Sequence, residues 1–507
     1  MSVSLGKSFS VTGISAKPIS IEVDIRKGLP SYSTVGLPDK AVKESKNRIN
    51  AAIKNSGFEF PVKKITVNLA PADLKKEGSS FDFPIALGIL AATGQIKEKE
   101  KLKKIICIGE LSLDGHLRRV PGALPAAMKL KKYGCREILL PETNQKEAAV
   151  VEGIKVIPVH SLRHAVSYLN GEQDIEPASV DIKEEFKSHS EYNMDFSDIR
   201  GQYFAKRALE VAAAGGHNLL MTGPPGAGKT MLAKRFVTIL PRLTVKEAIE
   251  VTMIKSVAGT LKEGEGISAT RPFRTPHHTI SDIALVGGGS IPHPGEISLA
   301  HRGVLFLDEF PEFKRGVIEV LRQPLEDGQI TVSRAAETVT YPANFSLIAA
   351  MNPCPCGYYG VPRKDCRCTS NDILKYKSKI SGPILDRIDI DIEVPRVKKK
   401  EMETFKKGEK SDIIRERVEV ARLRQEKRFK DEEHLFSNAD MKSRDIRKLV
   451  KIEPAARELL NRALDRYGLS VRSYNKILKV SRTIADLAGK ETVDIEDVTE
   501  ALQYRSS

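Results

Sequence analysis

The sequence predicts a multidomain α/β protein that ends in a helical region. Three observations support this class. The 507 residues exceed what one hydrophobic core usually holds. Apolar strand-like runs alternate with helical patterns over most of the chain, and the last part has almost only helical periodicity. The predicted divisions are an α/β domain at 1–170, a linker at 171–194, a parallel sheet with crossover helices at 195–395 and a helical region at 396–507.

The composition excludes a membrane protein and favours an anionic partner. Apolar residues make up 41% and charged residues 29%, and no apolar run is long enough to span a bilayer. The amino terminus has no apolar signal core, so we expect a cytoplasmic protein. Lys and Arg outnumber Asp and Glu by 81 to 66, which gives a net charge of +15. This excess suits nucleic acid, although solubility alone is the other explanation.

The strand and helix patterns define the predicted domains. The first contains strand candidates KKITVNLA, KKIICIGEL, REILLP and IKVIPV, between helical patterns such as FDFPIALGILAATG. Residues 171–194 are polar, mostly acidic and without apolar period, as in an exposed linker. Strand candidates HNLLMTG, GVLFLDE, FSLIAAMN and DRIDIDIEV then alternate with helices, which is typical of a parallel sheet.

The segment GPPGAGKT predicts a nucleotide site. It matches G-x-x-x-x-G-K-[ST], follows an apolar strand candidate and opens a helical run. Its glycines let backbone N–H groups surround phosphates, Lys229 reaches the β and γ oxygens, and Thr230 ligates Mg²⁺. The predicted ATP-binding residues are Gly223, Pro224, Pro225, Gly226, Ala227, Gly228, Lys229 and Thr230.

Two further strand ends carry groups suited to hydrolysis. GVLFLDEF delivers Asp308 to the magnesium shell and Glu309 to the water that attacks the γ phosphate. The strand FSLIAAM ends at Asn352, whose amide is predicted to orient the same water; a simple turn former is the alternative.

The chain from Asp195 onward resembles the AAA+ ATPases of the magnesium-chelatase and MCM branch. Within it, RTPHHTISDIALVGGGSIPHPGEISLAHRGVLFLDEF and NPCPCG resemble the ComM family, bacterial motors linked to branch migration of DNA during natural transformation. The likeness covers essentially the whole chain. It implies a homo-hexameric ring with ATP sites between subunits, completed by an arginine from the neighbour.

The resemblance assigns roles to residues outside the P-loop. Arg387 in SGPILDRIDI stands at the arginine-finger position, although a salt bridge to Asp386 or Asp389 is the plainer alternative. Arg472 stands at the sensor-arginine position, where a solvated helix-end arginine is the alternative. Ile199 and Gly201 in DIRGQ resemble the segment that contacts adenine.

Residues 1 to about 170 resemble the Lon protease domain, most clearly in EGSSFDFPIALGILAA and in GELSLDGHLRRVPGALPAAMKL. In that family a serine attacks with a lysine as its base. Ser80 falls on the serine position, but Pro125 occupies that of the lysine and cannot carry a proton; Lys129 lies one turn onward. We therefore expect a scaffold or a module for an unknown protein partner rather than a peptidase.

Four cysteines crowd into fifteen residues with the spacing C-x-C-x9-C-x-C, which predicts a structural zinc site. Small buried cysteines are the alternative. The candidate zinc ligands are Cys354, Cys356, Cys366 and Cys368.

Two segments are candidates for contact with DNA in a pore. DGQITVSRAAETVTYPANF is predicted to be a hairpin with Arg334 near its tip, and the branch places a hairpin here in the ring's pore. The loop RPFRTPHHT is the second candidate, with Arg271, Arg274, His277 and His278; polar turn residues are the alternative for the histidines.

These expectations combine into one functional hypothesis. The chain is predicted to be an ATP- and Mg²⁺-dependent hexameric motor on single-stranded or branched DNA, a helicase acting in branch migration. The alternative is a magnesium-chelatase-type ATPase that remodels a protein partner for metal insertion. The basic charge and the Lon-like first domain favour the motor.

Overall fold

The computed structural model describes residues 2–188, 192–289, 292–333, 338–362, 364–396, 408–432, 434–468 and 470–505. Its two main sheets, its crossover helices and its helical carboxyl-terminal part confirm the predicted α/β multidomain class. Among the residues so described, none of the helices has the length and apolar character needed to cross a bilayer.

The amino-terminal part is built on a seven-stranded mixed sheet with the order β3-β4-β2-β1-β5-β8-β9. Its strands are β1 (Ser2–Thr12), β2 (Ser15–Arg26), β3 (Ser31–Val35), β4 (Lys64–Ala70), β5 (Ile105–Cys107), β8 (Glu137–Pro141) and β9 (Lys155–Val159), and β6 (Glu110–Leu111) pairs with β7 (Leu117–Arg118). Its helices are α1 (Lys40–Asn55), α2 (Asp82–Ala92), α3 (Lys99–Leu102), α4 (Ala123–Lys129), α5 (Gln145–Ala149) and α6 (Leu162–Leu169). Every residue of α2 is buried, since this helix is apolar on all sides and lies within the core.

The segment 171–194, which the sequence predicts as an exposed linker, contains the helix α7 (Ile182–Ser188). Ile182 and Phe186 pack against a small apolar cluster that includes Val150 and Leu243. Two apolar residues four apart are enough to hold one face of a short helix. Among its described residues, this segment is therefore packed at Ile182 and Phe186.

The second sheet has five strands in the order β11-β14-β17-β10-β18, and all four strand pairs are parallel. Its strands are β10 (Leu219–Thr222), β11 (Phe273–Arg274), β14 (Val304–Leu307), β17 (Ser346–Met351) and β18 (Ile390–Glu393). Two hairpins flank it, made of β12 (Gly287–Gly288) with β13 (His293–Pro294) and of β15 (Gln329–Ser333) with β16 (Thr338–Pro342). The surrounding helices are α8 (Tyr203–Gly215), α9 (Lys229–Ile239), α10 (Val245–Val257), α11 (Asp282–Val286), α12 (Glu296–Leu299), α13 (Arg315–Glu319), α14 (Arg322–Asp327), α15 (Ser370–Lys377) and α16 (Gly382–Leu385).

The carboxyl-terminal part is helical and packs onto α8 and α9. Its helices are α17 (Ser411–Arg428), α18 (Ser443–Leu449), α19 (Pro454–Tyr467), α20 (Val471–Ala488) and α21 (Ile495–Gln503). Fully buried Asp486 accepts hydrogen bonds from Arg428, Arg482 and Asn438, which compensates the burial of its charge. His217 bonds to Asp389 at 2.9 Å and to Thr483 at 2.8 Å, so it joins this part to the sheet.

Helix α10 fastens the amino-terminal part to the second sheet. The N–H of Gly122 donates to the carbonyl of Ser256 at 3.1 Å, and the hydroxyl of Ser256 donates to buried Glu147. Arg119 donates to the carbonyl of Leu261 at 2.6 Å.

Helix α10 also forms hydrogen bonds with the residues that directly precede β14. Glu250 accepts hydrogen bonds from His301 at 3.2 Å and Arg302 at 2.9 Å, and these bonds lower the pKa of its carboxyl to about 2. A continuous set of hydrogen bonds thus runs from the first domain, along α10, to the strand that ends at Asp308.

Candidate nucleotide site

The groups predicted to act on ATP meet at one edge of the five-stranded sheet. Strand β10 ends at the P-loop, β14 ends at Asp308 and Glu309, and β17 ends at Asn352. Because β17 lies between β14 and β10 and all three are parallel, their carboxyl ends are adjacent. Ligands of open α/β sheets bind at this edge.

The P-loop spans residues 223–228 and leads into α9, whose N-cap is Gly228 at φ +92°. Gly226 also has a positive φ, of +76°. Such backbone angles favour glycine, and they turn successive N–H groups towards one centre. Gly223, Pro224, Pro225 and Ala227 complete this loop between strand and helix.

Lys229 is buried and its ammonium group is held by oxygen atoms. It donates to the carbonyls of Gly223 and of Pro224, the latter at 3.2 Å, and to Oδ1 of Asn352 at 3.2 Å. Burial lowers the pKa of Lys229, whereas the charges of Asp308 and Glu309 act in the opposite direction. An anionic phosphate would replace these neutral acceptors and favour the charged form.

Thr230 and Asp308 form the pair expected of a magnesium site. The Thr230 hydroxyl donates to Oδ2 of Asp308 at 2.7 Å, across the gap between α9 and the end of β14. Hydroxyl and carboxylate oxygens are suitable ligands for Mg²⁺, which keeps several waters. These two residues fit the ion because they converge beside the phosphate-binding loop.

Glu309 has a left-handed backbone conformation, and its side chain contacts a histidine that the sequence did not predict as its partner. Its φ is +54°, in the left-handed region that costs a residue with a side chain about 1–3 kcal/mol. Its side chain is 55% exposed, and its Oε2 lies 3.2 Å from Nδ1 of His278. The sequence pattern indicated His278 only as a neighbour of His277 in a loop, so this contact to the predicted base was missed.

The segment resembling the adenine contact lies beside the P-loop. Ile199 is buried in the core and Gly201 has φ +59°. The following residue, Gln202, donates to the carbonyls of Ala227 at 3.2 Å and Pro395 at 2.6 Å. Gln202 therefore ties this segment to the P-loop, a role that the DIRGQ pattern alone does not reveal.

Arg387 lies at the opposite edge of the sheet from the P-loop. Its carbonyl accepts from the side chain of Asn218, which immediately precedes β10, whereas the P-loop follows β10. Its guanidinium bonds to Glu326 and to the carbonyl of Pro383. The salt bridge considered from sequence was to Asp386 or Asp389; the observed partner is Glu326.

Arg472 lies at this same edge. Its Nη1 donates to Asp386 at 2.7 Å, the residue directly before Arg387. One turn onward on α20, Lys476 donates to the carbonyls of Leu385 at 3.0 Å and Ile388 at 2.9 Å. Helix α20 is thus fixed to the segment that carries Arg387.

The candidate DNA residues differ strongly in their surroundings. The Arg271 guanidinium is enclosed and bonds to the carbonyls of Pro241 and Arg302 and to Glu247. Arg271 therefore stabilises the fold, and we remove it from the proposed DNA contacts.

Arg274 forms two hydrogen bonds of 2.6 Å to Glu296, so its charge is already matched. His277 is exposed and bonds to Thr279 at 2.9 Å. Arg334 lies outside the described residues, between the paired strands β15 and β16.

The four cysteines of the metal loop, defined as residues 354–368, come together. Their Sγ atoms all lie within 4.8 Å of one another. The Sγ atom of Cys354 lies 3.4 Å from that of Cys356 and 3.7 Å from that of Cys366, and the Sγ atoms of Cys356 and Cys366 are 3.6 Å apart. A tetrahedral zinc with Zn–S bonds of about 2.3 Å has S to S edges of about 3.8 Å. The donor set and its spacing therefore fit zinc.

The position of Pro125 in α4 explains why proline is tolerated there. Pro125 lies buried in the first turn of α4, where a backbone N–H has no helical partner to lose. Ser80 accepts a hydrogen bond from the N–H of Gly109 through its carbonyl, and the neighbouring Ser79 hydroxyl donates to Glu110. Lys129 ends the same helix.

Comparison with known families matches nearly all of the chain. The profile described as "Magnesium chelatase, subunit ChlI" matches residues 195–402, and "Magnesium chelatase, subunit ChlI C-terminal" matches 408–505. "Subunit ChlI of Mg-chelatase" matches 21–144. The fold and the site define an AAA+ ATPase of the magnesium-chelatase type.

Full-length relatives narrow this class. "Competence protein ComM" of Haemophilus influenzae is 45% identical over 509 residues, covering 100% of this chain and 98% of the relative. "Uncharacterized protein YifB" of Escherichia coli is 44% identical over 511 residues, covering 100% and 97%. The magnesium-chelatase subunit ChlI homolog of Methanocaldococcus jannaschii is 22% identical, covering 62% and 84%. The chain belongs to the ComM family.

Proposed function

We propose that this protein hydrolyses ATP with Mg²⁺ and uses the energy to move DNA strands as a ring-shaped motor. The observation that carries the ATPase part is the convergence of Lys229, Thr230, Asp308, Glu309 and Asn352 at one sheet edge. Each has the side chain its role requires.

Each of these residues has a separate proposed role in hydrolysis. The P-loop amides and Lys229 would hold the phosphates, and Thr230 and Asp308 would hold Mg²⁺, which when bound would neutralise charge on the phosphates. Glu309 accepts a proton from the attacking water, and Asn352 orients that water. His278 fixes the carboxylate of Glu309 in place through their 3.2 Å contact.

The positions of two arginines support the proposed oligomeric assembly. Arg387 and Arg472 lie at one edge of the sheet, and the P-loop of the same subunit lies at the opposite edge. A residue there serves catalysis by meeting the nucleotide of another subunit. This supports a ring, and the resemblance in the sequence supports six subunits.

The proposal of DNA as the substrate rests on charge and on the family resemblance. The net charge of +15 suits a polyanion, and the residues that connect the paired strands β15 and β16 in the sequence include Arg334. His277 and Arg274 are secondary candidates. A motor that moves along any sequence holds phosphates rather than base edges.

The metal loop is the proposed binding site of a second metal ion besides Mg²⁺, with a structural role. We assign Zn²⁺ to the four cysteines because their Sγ atoms lie within 4.8 Å of one another, and its role is structural because four thiolates leave no open position for catalysis. The amino-terminal domain is proposed as a partner-binding scaffold, since Pro125 stands where a peptidase of the Lon type needs lysine.

The testing experiment measures ATP turnover alone and with single-stranded, duplex or branched DNA. Stimulation by branched or single-stranded DNA, reduced in Arg334→Ala with basal turnover retained, is the expected result. The chelatase-type relatives suggest a protein-remodelling ATPase as the alternative. Turnover that no DNA alters would favour that alternative.

A further inference from the structure

The metal loop lies directly against the P-loop. Gly357 has φ +82°, and a Cβ atom there would lie 2.7 Å from Cδ of Pro225 and 3.8 Å from Cγ of Asn352. Only glycine combines this backbone angle with so close an approach. The turn that contains the first two cysteines and ends at Gly357 is thus packed on two components of the nucleotide site.

Tyr358 provides a second link. The Lys364 ammonium lies 4.4 Å from the centre of its ring, and the Arg396 guanidinium carbon lies 5.8 Å from it. Arg396 in turn donates to the carbonyl of Pro225 at 3.2 Å. The ring of Tyr358 therefore stabilises the position of Arg396, which in turn is hydrogen-bonded to the P-loop backbone.

Cys354 stabilises the same turn through hydrogen bonds that its side chain and its carbonyl accept. It is buried two residues after Asn352, its Sγ accepts from the N–H of Tyr359 at 3.3 Å, and its carbonyl accepts from the N–H of Gly357 at 2.9 Å. The described residues between β17 and α15 form turns and bends without helix or strand. A loop of this kind needs a cross-link to keep one shape.

We propose that zinc in the metal loop holds Pro225 and Asn352 in the conformation that binds nucleotide, with Tyr358 as a positioning residue. The inference rests on the proposed nucleotide site. Metal occupancy then controls nucleotide affinity. Zinc acts here as a structural cofactor of the ATP site, whereas Mg²⁺ acts on the phosphates.

The experiment uses the full chain and measures two quantities for each variant: zinc per chain by elemental analysis, and the Kd of a fluorescent ATP analogue. Tyr358→Ala is expected to keep its zinc while Kd rises about fivefold, because the link to Arg396 is lost. Tyr358→Phe keeps the ring and is expected to behave as the parent. Tyr359→Ala is the matched control, since that side chain is exposed and its N–H is retained.

The metal itself is tested by the double variant Cys366→Ser, Cys368→Ser and by chelation of the parent. Both are expected to lose about one zinc per chain and to weaken nucleotide binding at least as much as Tyr358→Ala. Restoring zinc to the chelated parent restores affinity, which excludes simple misfolding.

A parent without zinc would overturn the inference. So would zinc-free or Tyr358→Ala protein that binds nucleotide as tightly as the parent, and in that case the proposed ATPase would still stand. A parent that holds zinc but binds no nucleotide would overturn the ATPase proposal and this inference together.

Discussion

Arg472 donates a hydrogen bond of 2.7 Å to Asp386, and Asp386 directly precedes Arg387. This pair fixes Arg472 of α20 beside Arg387 at the same edge of the sheet. The P-loop follows the end of β10 at the opposite edge of the same sheet. We infer that both arginines serve a neighbouring subunit's nucleotide.

Mixing variants tests this geometry. Arg387→Ala and Arg472→Ala are each expected to lower turnover strongly, about 1000-fold for the finger. Mixing either one with Lys229→Ala is expected to restore activity, since some interfaces then combine an intact P-loop with intact arginines.

Mixing Arg387→Ala with Arg472→Ala is expected to restore nothing, because every arginine edge lacks one residue. Recovery in that mixture would show that the two arginines act on different nucleotides. Asp386→Asn is the control for the salt bridge itself, and it is expected to keep substantial turnover.

Much of the site was predictable because its signals are local in sequence. A P-loop needs a strand, a glycine-rich turn and a helix in order, and apolar strands ending at Asp308 and Asn352 bring their side chains to one sheet edge. Apolar runs in the sequence predict the strands β10, β14, β17 and β18.

Other features depend on contacts that no local pattern encodes. Arg271 looks like a free cation in the sequence, yet three distant acceptors enclose it. His278 meets Glu309 only because the loop before α11 folds over the end of β14. Ile182 and Phe186 give too short an apolar pattern to reveal that α7 is packed.

Replacement of Glu309 by glutamine is expected to trap ATP. The amide cannot accept the proton of the attacking water, whereas the phosphates remain held by the P-loop and Lys229. Turnover should fall at least about 100-fold with the nucleotide Kd nearly unchanged. The measurement pairs single-turnover hydrolysis with equilibrium binding, and parent-like turnover would remove Glu309 from the mechanism.

Loss of His278 is expected to lower kcat without weakening ATP binding. Its imidazole bonds to the Glu309 carboxylate and makes no part of the phosphate cradle. A contact worth about 1.4 kcal/mol in positioning corresponds to about tenfold in rate. His278→Ala is compared with Thr275→Ala, an exposed residue of the same loop. Equal kcat in the two variants would mean that the contact is incidental.

Glu147→Ala is expected to destabilise the attachment of the first domain. Buried Glu147 accepts from Ser256 and from Asn144 at 2.7 Å, and both donors lose their acceptor. The expected loss is about 1–3 kcal/mol in the free energy of unfolding. Thermal denaturation provides the measure, with Glu152→Ala as an exposed control of the same type. Equal midpoints in both variants would show that this contact contributes nothing to stability.

We propose that ATP hydrolysis at this site is coupled to DNA. Steady-state ATP turnover by the parent and by Glu309→Gln is measured with and without branched DNA at matched salt. Branched DNA is expected to raise the turnover of the parent, and the variant is expected to stay inactive under every condition. Parent turnover that is identical with and without DNA of any form would contradict this proposal.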